Sequence, residues 1–323
     1  MRGILILNTG SPRTNNREDV KYFIGQMLSD PLVMSSVPDL VRDTLAKRII
    51  APMRASNSAA HYSLIWGDRP SESPLIYNSK MLAKRIEEAT GMPVEVGMRY
   101  CDPSIPAAFQ RLKEKCATLH EVVVVPMFPQ YAQSSYQTAV DEVGVRFYEK
   151  PQSFRLKILS PYYSEPGYIL SLAESLKPRV GKEYDRLVFS FHSLPLEHVE
   201  AGWKKGKDFD YVYQIKETVR LVTKELDIDP KKNRIVYSSA IGKKWLEPDL
   251  DKTMKELAID GIEKVIAITP GFPADNLETL YDIGISARGE FMNNGGKEFT
   301  FVPCLNFEDY WVEGLIRIIT SKV

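Results

Sequence analysis

Eight short apolar runs constrain the fold of this 323-residue chain more than any other feature. They are 3–9, 94–100, 121–127, 156–160, 187–191, 234–238, 264–269 and 299–303. Segments with helical periodicity separate them, and the runs are apolar on both faces. Strands that alternate with helices, and that are buried on both sides, predict parallel sheets in an α/β fold.

The order of these runs repeats along the chain. "ILILNTGSP" (4–12) resembles "LVFSFHSLP" (187–195), and "EVVVVPMFPQ" (121–130) resembles "KVIAITPGFPA" (264–274). A weaker match sets "LKILSPYY" against "FTFVPCLN". Each half then has four strands in the same order, which predicts an internal duplication.

The duplication predicts two similar doubly wound, Rossmann-like domains, at about 1–165 and 166–323, with a cleft between them. Ligands bind at the carboxyl ends of strands in such sheets, and a cleft would collect those ends from both domains. The equivalent positions are Thr9 with His192 and Ser134 with Glu278. One half thus holds titratable groups where the other holds neutral ones.

The halves differ by a long segment, 11–93, between the first and second strands. Its stretch "PLVMSSVPDLVRDTLAKRIIAPMRASNSAAHYSLIW" is amphipathic and rich in Met, Leu and Ile. It is too long for an ordinary connection. We interpret it either as a functional lip or lid, or as a helical subdomain with no role in binding.

His192 stands at the carboxyl end of a predicted buried strand, in a chain with four histidines. An imidazole there can transfer protons near neutral pH or bind a metal. A structural histidine with satisfied hydrogen bonds is the alternative.

Three carboxylates follow the seventh run, in "TPGFPADNLETLYDIG" (269–284). Pro273 and Gly284 predict the start and the end of a helix. Asp275, Glu278 and Asp282 would then share one face of that helix. Such a row can pass protons or hold a divalent cation, or it can simply favour the positive end of the helix dipole.

Other polar and aromatic side chains follow the ends of predicted strands. They are Arg99, Tyr100, Gln130, Tyr131, Ser134 and Trp245. Arg99 and Tyr100 suit an anionic or flat aromatic ligand, or else close an ordinary helix-entry loop. Trp245 is either a packing residue or a wall on which a ligand stacks.

Composition and the absence of certain motifs disfavour several classes of protein. Forty-two basic residues balance forty-two acidic ones, so the broad positive surface of a nucleic-acid-binding protein is not expected. Three dispersed cysteines without a CxxC pair argue against a zinc or iron–sulfur site and suit the cytoplasm. No GxGxxG or GxxxxGK[ST] motif indicates a nucleotide. No apolar run reaches the ~18 residues that span a bilayer.

A base opposite a row of carboxylates, in a dry aromatic-walled cleft, suits the insertion of a divalent metal into a nitrogen macrocycle. That reaction strips water from the cation and removes two pyrrole protons.

Nine motifs occur in the order that is typical of one family. They are "LNTGSP", "MLSDPLV", "IWGDRPSESPL" (65–75), "MRYCDPSI", "PMFPQYAQSS", "SFHSLP", "WLEPDLDKTMKEL", "PGFPADNLETLYDI" and "PCLN". With them the chain resembles the ferrochelatases over nearly its whole length. That resemblance implies two Rossmann-like domains that flank a porphyrin cleft.

The resemblance also implies roles by position. His192 and Glu278 match the family's catalytic and metal-binding pair, and Asp275 and Asp282 match its proton or metal path. The matching porphyrin contacts are Thr9, Arg99, Tyr100, Gln130, Tyr131, Ser134 and Trp245. The 11–93 insertion matches the lip that covers the porphyrin and, in some members, meets the membrane.

The chain departs from the family pattern at three places. Thr9 stands where members often carry Leu, Met or Tyr. "YSSAIG" (237–242) lacks an arginine that many bacterial members have there, and "KDFDY" (207–211) replaces "GDPY". No cysteine cluster ends the chain, so an iron–sulfur cluster is not expected.

The leading hypothesis is insertion of Fe²⁺ into protoporphyrin IX, with both as substrates and no prosthetic group. Insertion of iron into coproporphyrin III, cobalt chelation, and a porphyrin or haem carrier without turnover remain alternatives. We expect a cytoplasmic protein without a nucleic-acid partner, and a weak, mainly hydrophobic membrane contact through the lip. The oligomeric state is open.

Overall fold

The structure, a computed structural model, describes residues 1–67 and 72–322. Part of the 65–75 motif, residues 68–71 within the 11–93 insertion, lies outside the described residues. The chain divides into two compact units. One contains Met1–Phe128, Gln133–Ser160 and Ile319–Val323, and the other contains Pro129–Ala132 and Pro161–Ile318. The domain boundary that the sequence predicts between residues 165 and 166 stays a prediction.

The first unit is built on a four-stranded parallel sheet in the order β2-β1-β3-β4. Its strands are β1 (Arg2–Gly10), β2 (Val94–Tyr100), β3 (Glu121–Pro126) and β4 (Arg155–Ile158). Its α-helices are α1 (Arg17–Leu28), α2 (Asp39–Thr44), α3 (Ala51–Ile65), α4 (Pro74–Thr90), α5 (Ile105–Lys115) and α6 (Thr138–Tyr148). Leu45–Ile50 and Gln133–Gln137 are π-helical.

The second unit has the same sheet topology, in the order β6-β5-β7-β8. Its strands are β5 (Arg186–His192), β6 (Asn233–Ser238), β7 (Lys264–Ile268) and β8 (Glu298–Phe301). Its α-helices are α7 (Pro166–Val180), α8 (Leu196–Trp203), α9 (Tyr211–Glu225), α10 (Leu250–Ile259) and α11 (Arg288–Asn293), and α12 (Asp309–Lys322) belongs to it up to Ile318. Lys207–Phe209 and Pro230–Lys232 are 3₁₀ turns, and Glu278–Ala287 is π-helical.

The predicted fold class is confirmed. Within the described residues, eight strands occupy the eight apolar runs, and their ends differ from the predicted ones by at most two residues. The centres of β1 and β3 are completely buried because helices cover both faces of the sheet. The two sheets share one strand order, and each third strand leads into a π-helix. The internal repeat is therefore visible in the topology.

The last helix of the 11–93 insertion is the ordinary crossover between β1 and β2. Ser73 caps its start, Pro74 occupies its first turn, and Gly91 ends it in the left-handed conformation. Leu82 and Ile86 of α4 are buried, and the helix packs on β1 and β2. A lip must therefore be sought in the part before α4, and its covering role stays a prediction.

One buried carboxylate ties the start of that insertion to the sheet. Asp30, which follows α1, accepts hydrogen bonds at Oδ2 from the guanidinium of Arg99 (2.6 Å), the hydroxyl of Tyr100 (2.8 Å) and the hydroxyl of Thr138. Its Oδ1 accepts the backbone N–H of Leu32 at 2.8 Å. The side chain is 2% exposed, so these contacts replace its hydration completely.

We expect Asp30→Asn to lower the free energy of unfolding by about 3 to 5 kcal/mol. The amide has one acceptor oxygen for these donors, and the partly buried guanidinium of Arg99 loses one of its two carboxylate partners. Urea denaturation at pH 7 measures the change. Asp43→Asn is the matched control, because it changes an exposed carboxylate that pairs with Lys47 and contacts Ser29, and no measurable change is expected. Equal stability of the two variants would contradict the anchoring role of Asp30.

Candidate functional site

His192 is the last residue of β5, the strand that lies between β6 and β7. Phe189 and Phe191 are fully buried and hold this strand in the core. The side chain of His192 is 34% exposed, so the imidazole at the end of the strand lies outside the apolar interior. This is the position that the sequence predicts for it.

The tautomer of His192 follows from its hydrogen bond to the backbone. Nδ1 lies within hydrogen-bond distance of the carbonyl oxygen of Ser193. Because a carbonyl only accepts, Nδ1 carries the proton. In the neutral ring, Nε2 therefore holds the lone pair, which can accept a proton or bind a metal.

Glu278 faces that lone pair. It begins the π-helix after β7, and its Oε1 lies 3.5 Å from Nε2 of His192. Its Oε2 is buried and has no hydrogen-bond partner among the described residues. A buried acceptor without a partner is costly and marks a position where a ligand or proton can be taken up.

The predicted helix start at Pro273 and its end at Gly284 are wrong. The helix begins near Glu278 as a π-helix and continues through α11 to Asn293. Leu277 already has helical dihedral angles, whereas Pro273 precedes the helix in an irregular turn. Proline at N1 is favourable but not obligatory, and here the turn before the helix is held by side-chain hydrogen bonds instead.

Asp275 consequently does not belong to the same helical row as Glu278 and Asp282. It is buried, and its carboxylate accepts hydrogen bonds from Thr279 Oγ1, Asn306 Nδ2 and the backbone N–H of Cys304. These contacts fix the turn that leads into the π-helix. A role of Asp275 in a proton or metal path stays a prediction.

Asp282 lies one turn after Glu278 on the π-helix and accepts a hydrogen bond from Ser239 Oγ at 2.8 Å. Burial, reinforced by the nearby charge of Glu278, raises the pKa of Asp282 to about 7. The opposite effects of Ser239 and His192 are smaller. A carboxyl group with this pKa exchanges protons readily at neutral pH.

The remaining predicted residues of the second unit are partly committed to packing. The Gln130 side chain donates to Thr218 Oγ1, and the backbone N–H of Tyr131 donates to Gln214 Oε1. Trp245 is half-buried, and its backbone pairs with Pro195 beside the His192 turn. All three therefore lie near the carboxyl ends of the strands, and their contact with a porphyrin stays a prediction.

The predicted residues of the first unit also follow or end its strands. Thr9, in β1, and Ser134, in the π-helix after β3, are half-buried. Tyr100 is buried, and its hydroxyl donates to Asp30. Arg99 also contacts Glu142, with Nη1 at 3.3 Å from Oε2. The polar groups of Arg99 and Tyr100 thus hold the fold, and porphyrin binding by them stays a prediction.

The sequence interpretation did not identify Ser239, which holds Asp282. Ser239 directly follows β6 and has a left-handed backbone (φ 60°) that turns it toward the π-helix. Its place after a strand that neighbours β5 is the signal that points to it.

The site can therefore accept protons at three neighbouring groups. His192 Nε2 and Glu278 Oε1 face each other, and Asp282 couples electrostatically to both residues. Among the described residues, no group of three or more His, Cys, Asp or Glu side chains is arranged to hold a metal ion. The pair alone would give a divalent cation an incomplete set of ligands, with positions left open for other donors.

Comparisons with known proteins identify the family and the fold of the chain. Residues 1–323 match the family model described as Ferrochelatase. A curated ferrochelatase of Coxiella burnetii is 34% identical, covering 99% of this chain and 94% of its own length. One of Pseudomonas putida is 32% identical, with 97% and 96% covered. The solved structure of SirB from Bacillus subtilis with Fe³⁺ has a TM-score of 0.57 at 12% identity, covering 99% of this chain and 94% of SirB.

We expect Asp282→Asn to stabilise the protein at pH 8 by about 1 to 2 kcal/mol and to have no effect near pH 4. The raised pKa means that the folded state resists ionisation of Asp282, so stability falls as pH rises from about 4 through 7. Asn removes that penalty and can still accept the Ser239 hydrogen bond. Urea denaturation at both pH values measures the difference.

Asp208→Asn is the control, because Asp208 is an exposed carboxylate of the same unit. A stabilisation by Asp282→Asn that is the same at pH 4 and pH 8 would contradict the raised pKa.

Proposed function

Because the chain belongs to the ferrochelatase family, whose members insert metal into porphyrin for haem synthesis, we propose that it inserts Fe²⁺ into protoporphyrin IX. Fe²⁺ enters and two pyrrole protons leave, so the product is protohaem. The observation that carries the proposal is the pair formed by His192 and Glu278, in which Nε2 lies 3.5 Å from Oε1 and the buried Oε2 has no partner among the described residues.

The two groups match the two protons released. His192 Nε2 accepts the first pyrrole proton, because Nδ1 already carries a proton and Nε2 holds the lone pair. Glu278 accepts the second. Asp282, with a pKa of about 7, then passes protons outward from Glu278.

The choice of protoporphyrin rests on charge. Coproporphyrin III carries four carboxylates and protoporphyrin IX two. Arg99, the only basic residue among the predicted porphyrin contacts, is engaged by Asp30 and Glu142. The chain has no net charge to attract a tetra-anion. The less charged, more apolar porphyrin therefore suits the site better.

Fe²⁺ is a substrate in this proposal, not a resident cofactor. Two protein ligands leave most coordination positions of the ion open, so the porphyrin nitrogens can replace its water, and transfer of the ion to the porphyrin frees His192 and Glu278 to accept the protons. A closed set of protein ligands would hold the ion too firmly for release. No prosthetic group is needed for the proton transfers assigned to His192, Glu278 and Asp282.

We expect His192→Ala and Glu278→Gln each to lower kcat for Fe²⁺ insertion by about 100-fold or more, because each removes a proton acceptor. Porphyrin binding, followed by fluorescence quenching, should stay near that of the unaltered protein. Anaerobic assays with protoporphyrin IX and coproporphyrin III in parallel, and with Co²⁺ beside Fe²⁺, test the substrate.

Glu290→Gln is the control, because Glu290 lies farther along the same helical segment. A change at Asn276 is unsuitable as a control because Asn276 holds the turn before Glu278. Faster turnover of coproporphyrin III would contradict the substrate assignment. Binding of porphyrin without turnover in the unaltered protein would indicate a carrier.

We also propose a peripheral membrane contact through the helical segment before α4. Leu40 (92% exposed) and Met53 (78% exposed) are the most exposed apolar side chains there, and Val41 and Ile49 are exposed beside them in sequence. Within 39–54, four basic residues stand against two acidic ones, although the whole chain is neutral. Apolar side chains among basic ones suit an anionic lipid surface. No helix of the described residues has the length and hydropathy that a membrane span requires.

Sedimentation with vesicles of phosphatidylcholine and phosphatidylglycerol tests this contact. We expect Leu40→Asp with Met53→Asp to lower the bound fraction several-fold, because aspartates oppose both insertion and the anionic surface. The part of binding that survives added salt measures the apolar contribution. Ile259→Asp, an exposed apolar residue of the second unit, is the control and should bind like the unaltered protein. Equal binding of both variants would contradict the contact.

A further inference from the structure

Tyr211 lies behind the catalytic histidine and contacts its backbone. Tyr211 is the first residue of α9, is 8% exposed, and donates its hydroxyl hydrogen to the carbonyl oxygen of His192 at 3.0 Å. Nothing in the proton transfers described above uses this residue. The hydroxyl is the only polar group of this large buried side chain, and it donates its hydrogen bond to the peptide that links His192 to Ser193.

That peptide is held on its other side as well. The N–H of Ser193 donates to the carbonyl of Ser238 at 2.8 Å, and Ser193 Oγ donates to the carbonyl of Leu246 at 3.0 Å. With the His192–Ser193 peptide plane held at both its oxygen and its nitrogen, the next carbonyl, that of Ser193, is directed at Nδ1 of His192. The orientation and the tautomer of the ring depend on this arrangement.

The helix that carries Tyr211 is itself firmly placed. The side chain of Asp210 caps its N-terminus by accepting the N–H of Tyr213 at 3.0 Å. Gln214 and Thr218, on the same buried face, bond to the backbone of Tyr131 and of Tyr163. A rigid helix holds a hydroxyl within the narrow tolerance that a reacting group requires.

We propose that Tyr211 is a positioning residue, which orients His192 so that Nδ1–H is bonded to Ser193 and Nε2 presents its lone pair to Glu278. The inference rests on the proposed function of His192. Burial and the nearby charge of Glu278 raise the pKa of Tyr211, so its hydroxyl remains a donor throughout the working pH range.

The first test reads the tautomer of His192 in the metal-free protein, without any turnover. In ¹⁵N-histidine-labelled protein the two neutral tautomers have different nitrogen shifts, and the spectrum of His192→Gln identifies His192 among the four histidines. We expect the Nδ1–H tautomer in the unaltered protein and a mixture with the Nε2–H tautomer in Tyr211→Phe. Phe keeps the buried ring and removes only the donor.

Tyr213→Phe is the matched control. It removes a hydroxyl from the same helix, but that ring packs against Tyr163 and Lys207 and has no bond to His192. Its tautomer spectrum should match that of the unaltered protein. An unchanged tautomer ratio in Tyr211→Phe would overturn the proposal.

The second test measures Fe²⁺ insertion. Misplacement of a catalytic group lowers the rate of the chemical step, so we expect kcat of Tyr211→Phe to fall about 10-fold with KM nearly unchanged. An unchanged kcat would also overturn the proposal. A shifted tautomer together with full activity of His192→Ala would instead refute the catalytic role of His192, while the positioning by Tyr211 would stand.

Discussion

The chemistry proposed for this protein depends on the hydrogen bond from His192 Nδ1 to the Ser193 carbonyl. This bond uses a backbone acceptor where many enzymes use a carboxylate to orient a histidine. Glu278 is therefore not consumed in holding the ring and can face Nε2 as a second base.

The π-helix after β7 complements this arrangement. Its i→i+5 hydrogen bonds give wider turns than an α-helix, and such segments are frequent at functional sites. Here the segment starts at Glu278 and carries Asp282 as the next acidic residue on the same side. Because Asp275 lies before the helix, it is free to hold the preceding turn through its buried carboxylate. Of the three neighbouring carboxylates, Asp275 therefore holds the turn, and Glu278 and Asp282 remain available to accept protons.

Because of the internal repeat, the first unit has features that correspond to the candidate site of the second unit. In the first unit these features stabilise the fold. The same sheet order places Thr9 near the end of β1, as His192 ends β5, and a π-helix follows β3 as one follows β7. In the first unit, however, the charged groups at the strand ends are paired internally, with Arg99 engaged by Asp30 and Glu142. Arg99 is thus paired with a carboxylate whose side chain is only 2% exposed, and breaking such a pair is costly.

The amino-acid sequence by itself determined the strands, their order within each half, the duplication, and the pairing of His192 with Glu278 as candidates. Those features depend on apolar periodicity and on local motifs, which are properties of short segments. The tertiary structure alone decided where the acidic helix begins, because Asn306 Nδ2 and the backbone N–H of Cys304, both distant in sequence, donate to the Asp275 carboxylate and hold the turn before the helix. It likewise decided that Arg99 and Tyr100 bind Asp30, and that Tyr211 holds His192, because those partners are separated by 19 or more positions in the chain. Contacts of this kind leave no periodic trace in a single sequence, since each depends on how elements pack after they have formed.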